Sequence, residues 1–143
     1  MGPWAACKID ARVVRMAVFV VEQSIPSDLE WDEWDETSLH AVAGNPAGEP
    51  VGTGRLLPAS FDPRSPATGH IGRMAVIASA RRHGVGSAIL QALMHAAPMQ
   101  GFTGVVLHAQ SYVAPFYAHH GFVIEGDEFV EAGIAHRIMR APL

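Results

Sequence analysis

The feature that most constrains this chain is a strand, a short loop and a helix joined through Arg81-Arg82-His83-Gly84-Val85-Gly86. His70 to Ile77 reads as a strand whose pattern is interrupted at Gly72. Beyond the loop, Val85, Ile89, Leu93 and Ala97 recur every four residues with Leu90 and Met94 beside them, and Pro98 stops that helix. A helix N-terminus offers unpaired N–H groups and a partial positive charge. Glycines let a backbone approach an anion closely, and two arginines add charge-assisted bonds. The run therefore suits a pyrophosphate, although the same residues also suit a plain tight turn. A Walker A loop would need Gly-Lys-Ser/Thr, and Gly86 is followed directly by Ser87. A dinucleotide fingerprint would need a third glycine where Ile89 stands.

The rest of the chain reads as one domain of 143 residues, residues 1–143. Ile9, Val13, Met16 and Val20 form a helical stripe widened by Val14, Ala17 and Val21, with the helix beginning near Lys8 and Asp10 in its first turn. A short acidic helix follows Pro26 and Ser27-Asp28. Strands are expected at 39–42, 51–57 and 105–107, and a terminal hairpin at 122–129 and 134–140 turning at Ala132-Gly133. Ser111 is placed to cap a helix that carries Pro115 in its first turn and ends at Gly121. The order α-α-β-β-β-α-β-α-β-β predicts an α+β, mixed-sheet fold and not a doubly wound one.

Composition excludes several functions. Ten basic against fourteen acidic side chains give a net charge of −4, with no basic patch for nucleic acid. The apolar run from Met16 to Val21 is too short for a bilayer, and no secretory pattern precedes it, so no membrane partner is expected. Cys7 is the only cysteine and cannot form an internal disulfide, which points to a cytoplasmic setting. It lies close to the chain end and receives no catalytic role. His83, His95, His108 and His136 lack metal-ligand spacing, and no metal is expected.

Several motifs in register carry a resemblance. They are Val18-Phe19-Val20-Val21-Glu22-Gln23, Glu30-Trp31-Asp32-Glu33-Trp34-Asp35 with His40, and Gly52-Thr53-Gly54-Arg55-Leu56. Gly72-Arg73-Met74-Ala75-Val76, Arg81-x-x-Gly84-x-Gly86 and Phe116-Tyr117-x-x-x-Gly121-Phe122 complete the set. From about Ile9 to Met139 the chain resembles the GNAT superfamily of acyl-CoA N-acyltransferases, in its ElaA-like branch. The resemblance implies a mostly antiparallel sheet splayed into a V between its fourth and fifth strands, flanked by helices. It implies acetyl-CoA as co-substrate, with the backbone of Met74, Ala75 and Val76 on the pantetheine. The amides of Arg82, His83, Gly84, Val85, Gly86 and Ser87, with Arg81, would hold the pyrophosphate. Only seven residues precede the expected first helix, so the first strand is read as absent or vestigial, and a homodimer partner could cover the edge left open. Gln110 stands where the superfamily often has asparagine, and an amide is retained for coenzyme contact.

Transfer to an amine needs a neutral nitrogen and a proton for the departing thiolate. A lysine-type amine has a pKa of about 10.4 and arrives protonated, so a base or a water relay is useful. By resemblance Tyr117 is the acid. His70, eleven residues before Arg81, is the candidate base, because imidazole titrates near neutrality. Glu30, Trp31 and Trp34, with Glu22, are the candidate contacts to a small-molecule or peptide amine, through charge and cation–π attraction. The alternative reading is a non-catalytic acyl-CoA-binding module; a hydrolase built on the histidines would require bound metal.

Overall fold

The structure, a computed structural model, describes residues 1–143. Seven strands form one sheet: β1 (Gly2–Pro3), β2 (Leu39–Gly44), β3 (Pro50–Leu56), β4 (Thr68–Val76), β5 (Gly104–Gln110), β6 (Val123–Glu131) and β7 (Ile134–Pro142). Their spatial order is β1-β2-β3-β4-β5-β7-β6. Every neighbouring pair is antiparallel except β4 with β5. Three α-helices flank the sheet: α1 (Trp4–Arg15), α2 (Val85–Ala96) and α3 (Ala114–His119). The first strand is vestigial: two residues of β1 pair with Leu39 and His40.

Alternation along β3 decides what lies on each face. Gly52, Gly54 and Leu56 point toward α2, where a Cβ on Gly52 would lie 2.6 Å from Ile89 Cδ1. Thr53 and Arg55 point the other way, toward α1 and the acidic segment, where Arg55 meets Asp35. The Gly52-Thr53-Gly54 run is thus a helix-packing device. The main core joins Leu56 and Ile71 to Ile89, Leu90, Leu93, Leu107 and Met139; a smaller cluster of Val14, Val18, Phe19, Ile25 and Ala75 lies under α1.

α1 departs from its expected form. It starts at Trp4, not near Lys8, so Asp10 sits mid-helix and Cys7 is buried rather than at a loose end. From Met16 to Glu22 it continues as a π-helix. The expected apolar stripe faces solvent, with Ile9 80% and Val13 52% exposed, while Ala11 and Val14 are fully buried. The segment is apolar on both sides, so periodicity could not choose the face. Small Cys7 and Ala11 allow close approach to the sheet, and the π turn rotates Val18 and Phe19 inward. The acidic helix becomes two 3₁₀ turns, Ser27–Leu29 and Glu33–Thr37; Asp32 caps the second in a capping box with Asp35. Ser111 caps nothing: it opens a 3₁₀ turn, Ser111–Val113, ahead of α3.

Two irregularities shape the middle of the sheet. Arg55 opposes Gly72 while Thr53 opposes Ala75, so Gly54 faces two residues of β4 and Arg73 bulges at φ 52°. β4 and β5 pair only from Thr68 with Gly104 to Ile71 with Leu107, then part. This is the V between the fourth and fifth strands.

Candidate active site

Where β4 and β5 separate, the gap opens into a cavity of about 1180 Å³. Met74, Ala75, Val76, Gln110 and Tyr117 line it, as do Arg81, Arg82, Gly84, Val85, Gly86 and Ser87; His83 does not. β3 pairs with Ala75 and Val76 from one side, and on the other side β5 has already turned away. That leaves a strand edge facing the cavity, the arrangement an extended amide chain can join.

At the loop end, Gly84 is the N-cap of α2 at φ 82°, and no side chain caps the helix amides. Arg82 also takes a left-handed turn at φ 66°. Both conformations turn successive N–H groups toward one concavity, an anion-binding geometry. Arg81 is not a free cation. Its Nε donates to the Val76 carbonyl at 2.9 Å, and its two terminal nitrogens donate to Glu22 at 2.6 and 2.7 Å. That hydrogen bond holds the Glu22 carboxyl below its ordinary range. Glu22 therefore sits at the loop end, where its carboxylate holds Arg81. Ser87 Oγ lies 3.0 Å from His120 Nε2.

Gln110 exchanges two amide hydrogen bonds with Gln23, at 2.9 and 3.0 Å, and Gln23 also donates to the Tyr112 hydroxyl at 3.3 Å. The pair ties the end of the π-helix to the end of β5. Tyr117 is buried against Phe116 and Phe122, and burial pushes its hydroxyl above the usual phenol range. It stays protonated at neutral pH and is a donor.

The far end of the cavity is charged. Arg15 is wholly buried and pairs with Asp35 at 2.9 Å; Arg55 binds Asp32 and Asp35 at 2.6 and 2.9 Å. Arg73 donates to Asp32 at 3.3 Å and to the Leu29 carbonyl at 3.1 Å. Burial alone would raise both aspartates, but hydrogen bonds from Arg55 to Asp32 and from Arg15 to Asp35 outweigh it and hold them low. Glu30 has no such partner: it is buried 3.9 Å from Arg73, and burial pushes its carboxyl up. Glu30 lines the cavity; Trp31 and Trp34 do not. Trp31 lies against Arg12, and Trp34 packs edge-on against Phe61. His70 lines the cavity with Phe61 against its ring and Asp62 3.5 Å from Nε2. Burial holds this imidazole below its ordinary value, with Asp62 opposing.

These features (a forked sheet, a strand edge at the fork and a bare helix N-terminus beside it) meet their match in known proteins. A model of the acetyltransferase (GNAT) domain matches residues 8–143. The chain belongs to the GNAT acetyltransferase family. An uncharacterized N-acetyltransferase of Bacillus subtilis is 40% identical over 88 residues, 62% of this chain and 58% of that protein, so the chain aligns with little more than half of its length. The structure of an acyl-CoA N-acyltransferase from Pseudomonas aeruginosa superposes with a TM-score of 0.78 at 31% identity, covering 94% of this chain and 89% of that one. Escherichia coli ElaA superposes at 0.81 with 27% identity, covering 94% and 88%. The ElaA-like resemblance stands. GNAT enzymes as a family take the acyl group from an acyl-CoA, and the cavity with its cradle fits such a donor.

Several residues of this GNAT site escape sequence reasoning. Gln23 meets Gln110 across 87 positions, and no local pattern signals that pairing. Arg15, Arg55 and Arg73 receive no role in the sequence reading and are the partners of the acidic segment. His108, weighed only as a metal ligand, proves to line the cavity beside Glu131 and His136. Its place in β5, one residue past buried Leu107, was the available signal.

Proposed function

We propose that this chain transfers an acetyl group from acetyl-CoA to a primary amine by direct attack, without an acyl-enzyme. The observation that carries this reading is the fork: Met74 to Val76 offer a strand edge that no neighbouring strand covers, with the Val76 carbonyl accepting from Arg81, the uncapped amides at Gly84 to Ser87 lie at one end, and Tyr117 lines the gap. The strand edge would hold the pantetheine amides, and the Arg82 to Ser87 amides would hold the pyrophosphate. Arg81 holds the loop to the Glu22 carboxylate rather than gripping phosphate itself. Gln110 and Gln23 would open their amide pair toward the coenzyme. When bound, acetyl-CoA supplies the thioester that the amine attacks.

Tyr117 would donate its proton to the departing sulfur, a role favoured by its retained hydroxyl proton. No cysteine lies near the cavity to carry the acyl group: Cys7 is buried beside the His40 carbonyl. The amine would enter from the end formed by Glu30, Asp32, Arg73, His70 and Phe61. The aspartates there are already paired with arginines, and Glu30 lies 3.9 Å from Arg73 with its carboxyl pushed up by burial, so this end carries little free negative charge. A small-molecule or peptide amine fits this end.

The test is an acetyl-CoA assay that detects free thiol, run against polyamines, amino sugars, amino acids and peptides. Thiol release that depends on one amine class is the expected result. Stoichiometric acetyl-CoA binding with no thiol release from any amine would instead make the chain a coenzyme-binding module.

A further inference from the structure

β5 carries a second imidazole at the fork, with a carboxylate behind it. His108 is the first residue of β5 past the last rung shared with β4, the Ile71–Leu107 pair. Alternation turns it to the face opposite buried Leu107, and it lines the cavity half-exposed. Its Nδ1 lies 3.2 Å from Glu131 Oε1, and Phe129 packs edge-on against the ring. Glu131 comes from the end of β6, beside the Ala132-Gly133 turn, and its other oxygen lies 3.7 Å from His136 Nε2 on β7. A carboxylate on Nδ1 places that nitrogen's proton between them and leaves Nε2 with its lone pair. The hydrogen bond from His108 holds Glu131 below the ordinary glutamate range, so it is a carboxylate at neutral pH.

His70 is less well placed for the same work. Its Nε2 is buried against Asp62, and the residue is 21% exposed against 46% for His108. Tyr117 lies among Ile71, Leu107 and Leu90 in the core on the other face of the sheet. The proton donor and His108 thus flank the fork from opposite sides.

We propose that His108, oriented by Glu131, is the base that takes the proton from the incoming ammonium, in place of His70. The assignment rests on the acyl-transfer reading above. His108 Nε2 takes one proton from the ammonium and passes it to solvent. The freed nitrogen lone pair forms the bond to the thioester carbonyl carbon, and the carbon–sulfur bond breaks. The sulfur takes the Tyr117 proton, and the second proton lost by the nitrogen restores the phenol in balance. Glu131 touches no reacting atom and is a positioning residue. The charged and titratable groups around His108 include Glu131 from β6, His136 and Arg140 from β7 (Arg140 paired with Glu125 of β6), and His70 and Arg73 from β4.

Two nucleophiles test the idea with acetyl-CoA and free-thiol detection: n-propylamine, an ammonium at neutral pH, and hydroxylamine, whose nitrogen is already deprotonated there. His108→Gln should lower kcat/KM for propylamine by about 100-fold or more. It should leave hydroxylamine turnover and the calorimetric affinity for acetyl-CoA nearly unchanged. Glu131→Gln should lower kcat for propylamine by less than His108→Gln, with KM unchanged. Equal losses with both nucleophiles, or full propylamine turnover in His108→Gln, overturn the assignment. So does a His70→Gln variant that alone loses propylamine selectively, or a wild type that acetylates hydroxylamine but never propylamine. A wild type that binds acetyl-CoA and releases no thiol with any amine overturns the transfer reading itself, a different result from any of these.

Discussion

Tyr117 and Arg15 illustrate how burial changes what a side chain can do. The phenol of Tyr117 could pack or could donate, and its motif alone left both open. In the fold the ring packs between Phe116 and Phe122, and burial pushes the hydroxyl further above the usual phenol range, so its proton is retained. Tyr117→Phe keeps the packing and removes the proton, so kcat should fall by roughly 10²-fold with acetyl-CoA affinity unchanged. Steady-state kinetics beside a calorimetric titration checks this, and an unchanged kcat removes Tyr117 from the mechanism. Arg15 gave no signal, being one basic residue at the end of an apolar helix. Its guanidinium is wholly buried between Asp35 and the Trp4 ring. Such a pair costs desolvation, yet removing one partner of a buried pair typically costs about 3–5 kcal/mol, because the other charge is stranded. The acidic run, expected as a short helix that contacts the amine, is therefore half of a buried charge network, and only the arginines of α1, β3 and β4 reveal that.

Elements differ in how legible they were for a physical reason. α2 reads well because its apolar residues face one side only and Pro98 follows closely. The β6–β7 hairpin reads well because Ala132 and Gly133, at φ 52° and 76°, form the turn their position suggests. α1 reads poorly because it is apolar on both faces, and a π turn changes its phase midway. Gly52 belongs to the link between elements. A Cβ there would lie 2.7 Å from Val85 Cγ1 and 2.6 Å from Ile89 Cδ1, both on α2. Val85 opens the helix whose uncapped amides are proposed to hold the pyrophosphate. Gly52→Ala should destabilise the fold by about 1–3 kcal/mol through overpacking, measured by urea denaturation. It should also weaken acetyl-CoA binding by shifting the start of α2, and unchanged affinity would mean that the helix end is compliant.

At the scale of the molecule, pH acts through buried imidazoles before it reaches the acids. Burial holds both His40 and His70 below the ordinary imidazole value of 6.5. The unfolded chain therefore binds more protons than the folded one as pH falls through that value, and stability must decrease with it. Asp32 and Asp35 are held below 3.8, so their contribution persists until pH falls further and is then lost. Glu30 has the opposite sign, since its raised carboxyl favours the folded state at low pH. Urea denaturation at pH 7.5 and 5.5 should give a lower midpoint at 5.5, with the drop reduced in His70→Gln. A His70→Gln variant with the same drop as the wild type would remove His70 from the pH dependence.

The sequence by itself determined the family, the element order of the C-terminal half and the loop that opens α2, because each rests on residues adjacent in the chain. Periodicity, turn chemistry and the Arg81-x-x-Gly84-x-Gly86 spacing are local, and local patterns survive without tertiary context. Tertiary structure alone decided which charges are free. Arg81 and Glu22 neutralise each other across 59 positions, Gln110 is tied to Gln23, and Trp31 and Trp34 turn away from the cavity. It also decided which imidazole has a carboxylate behind it and an open face. That depends on β6 returning beside β7, and on β5 parting from β4 one residue before His108.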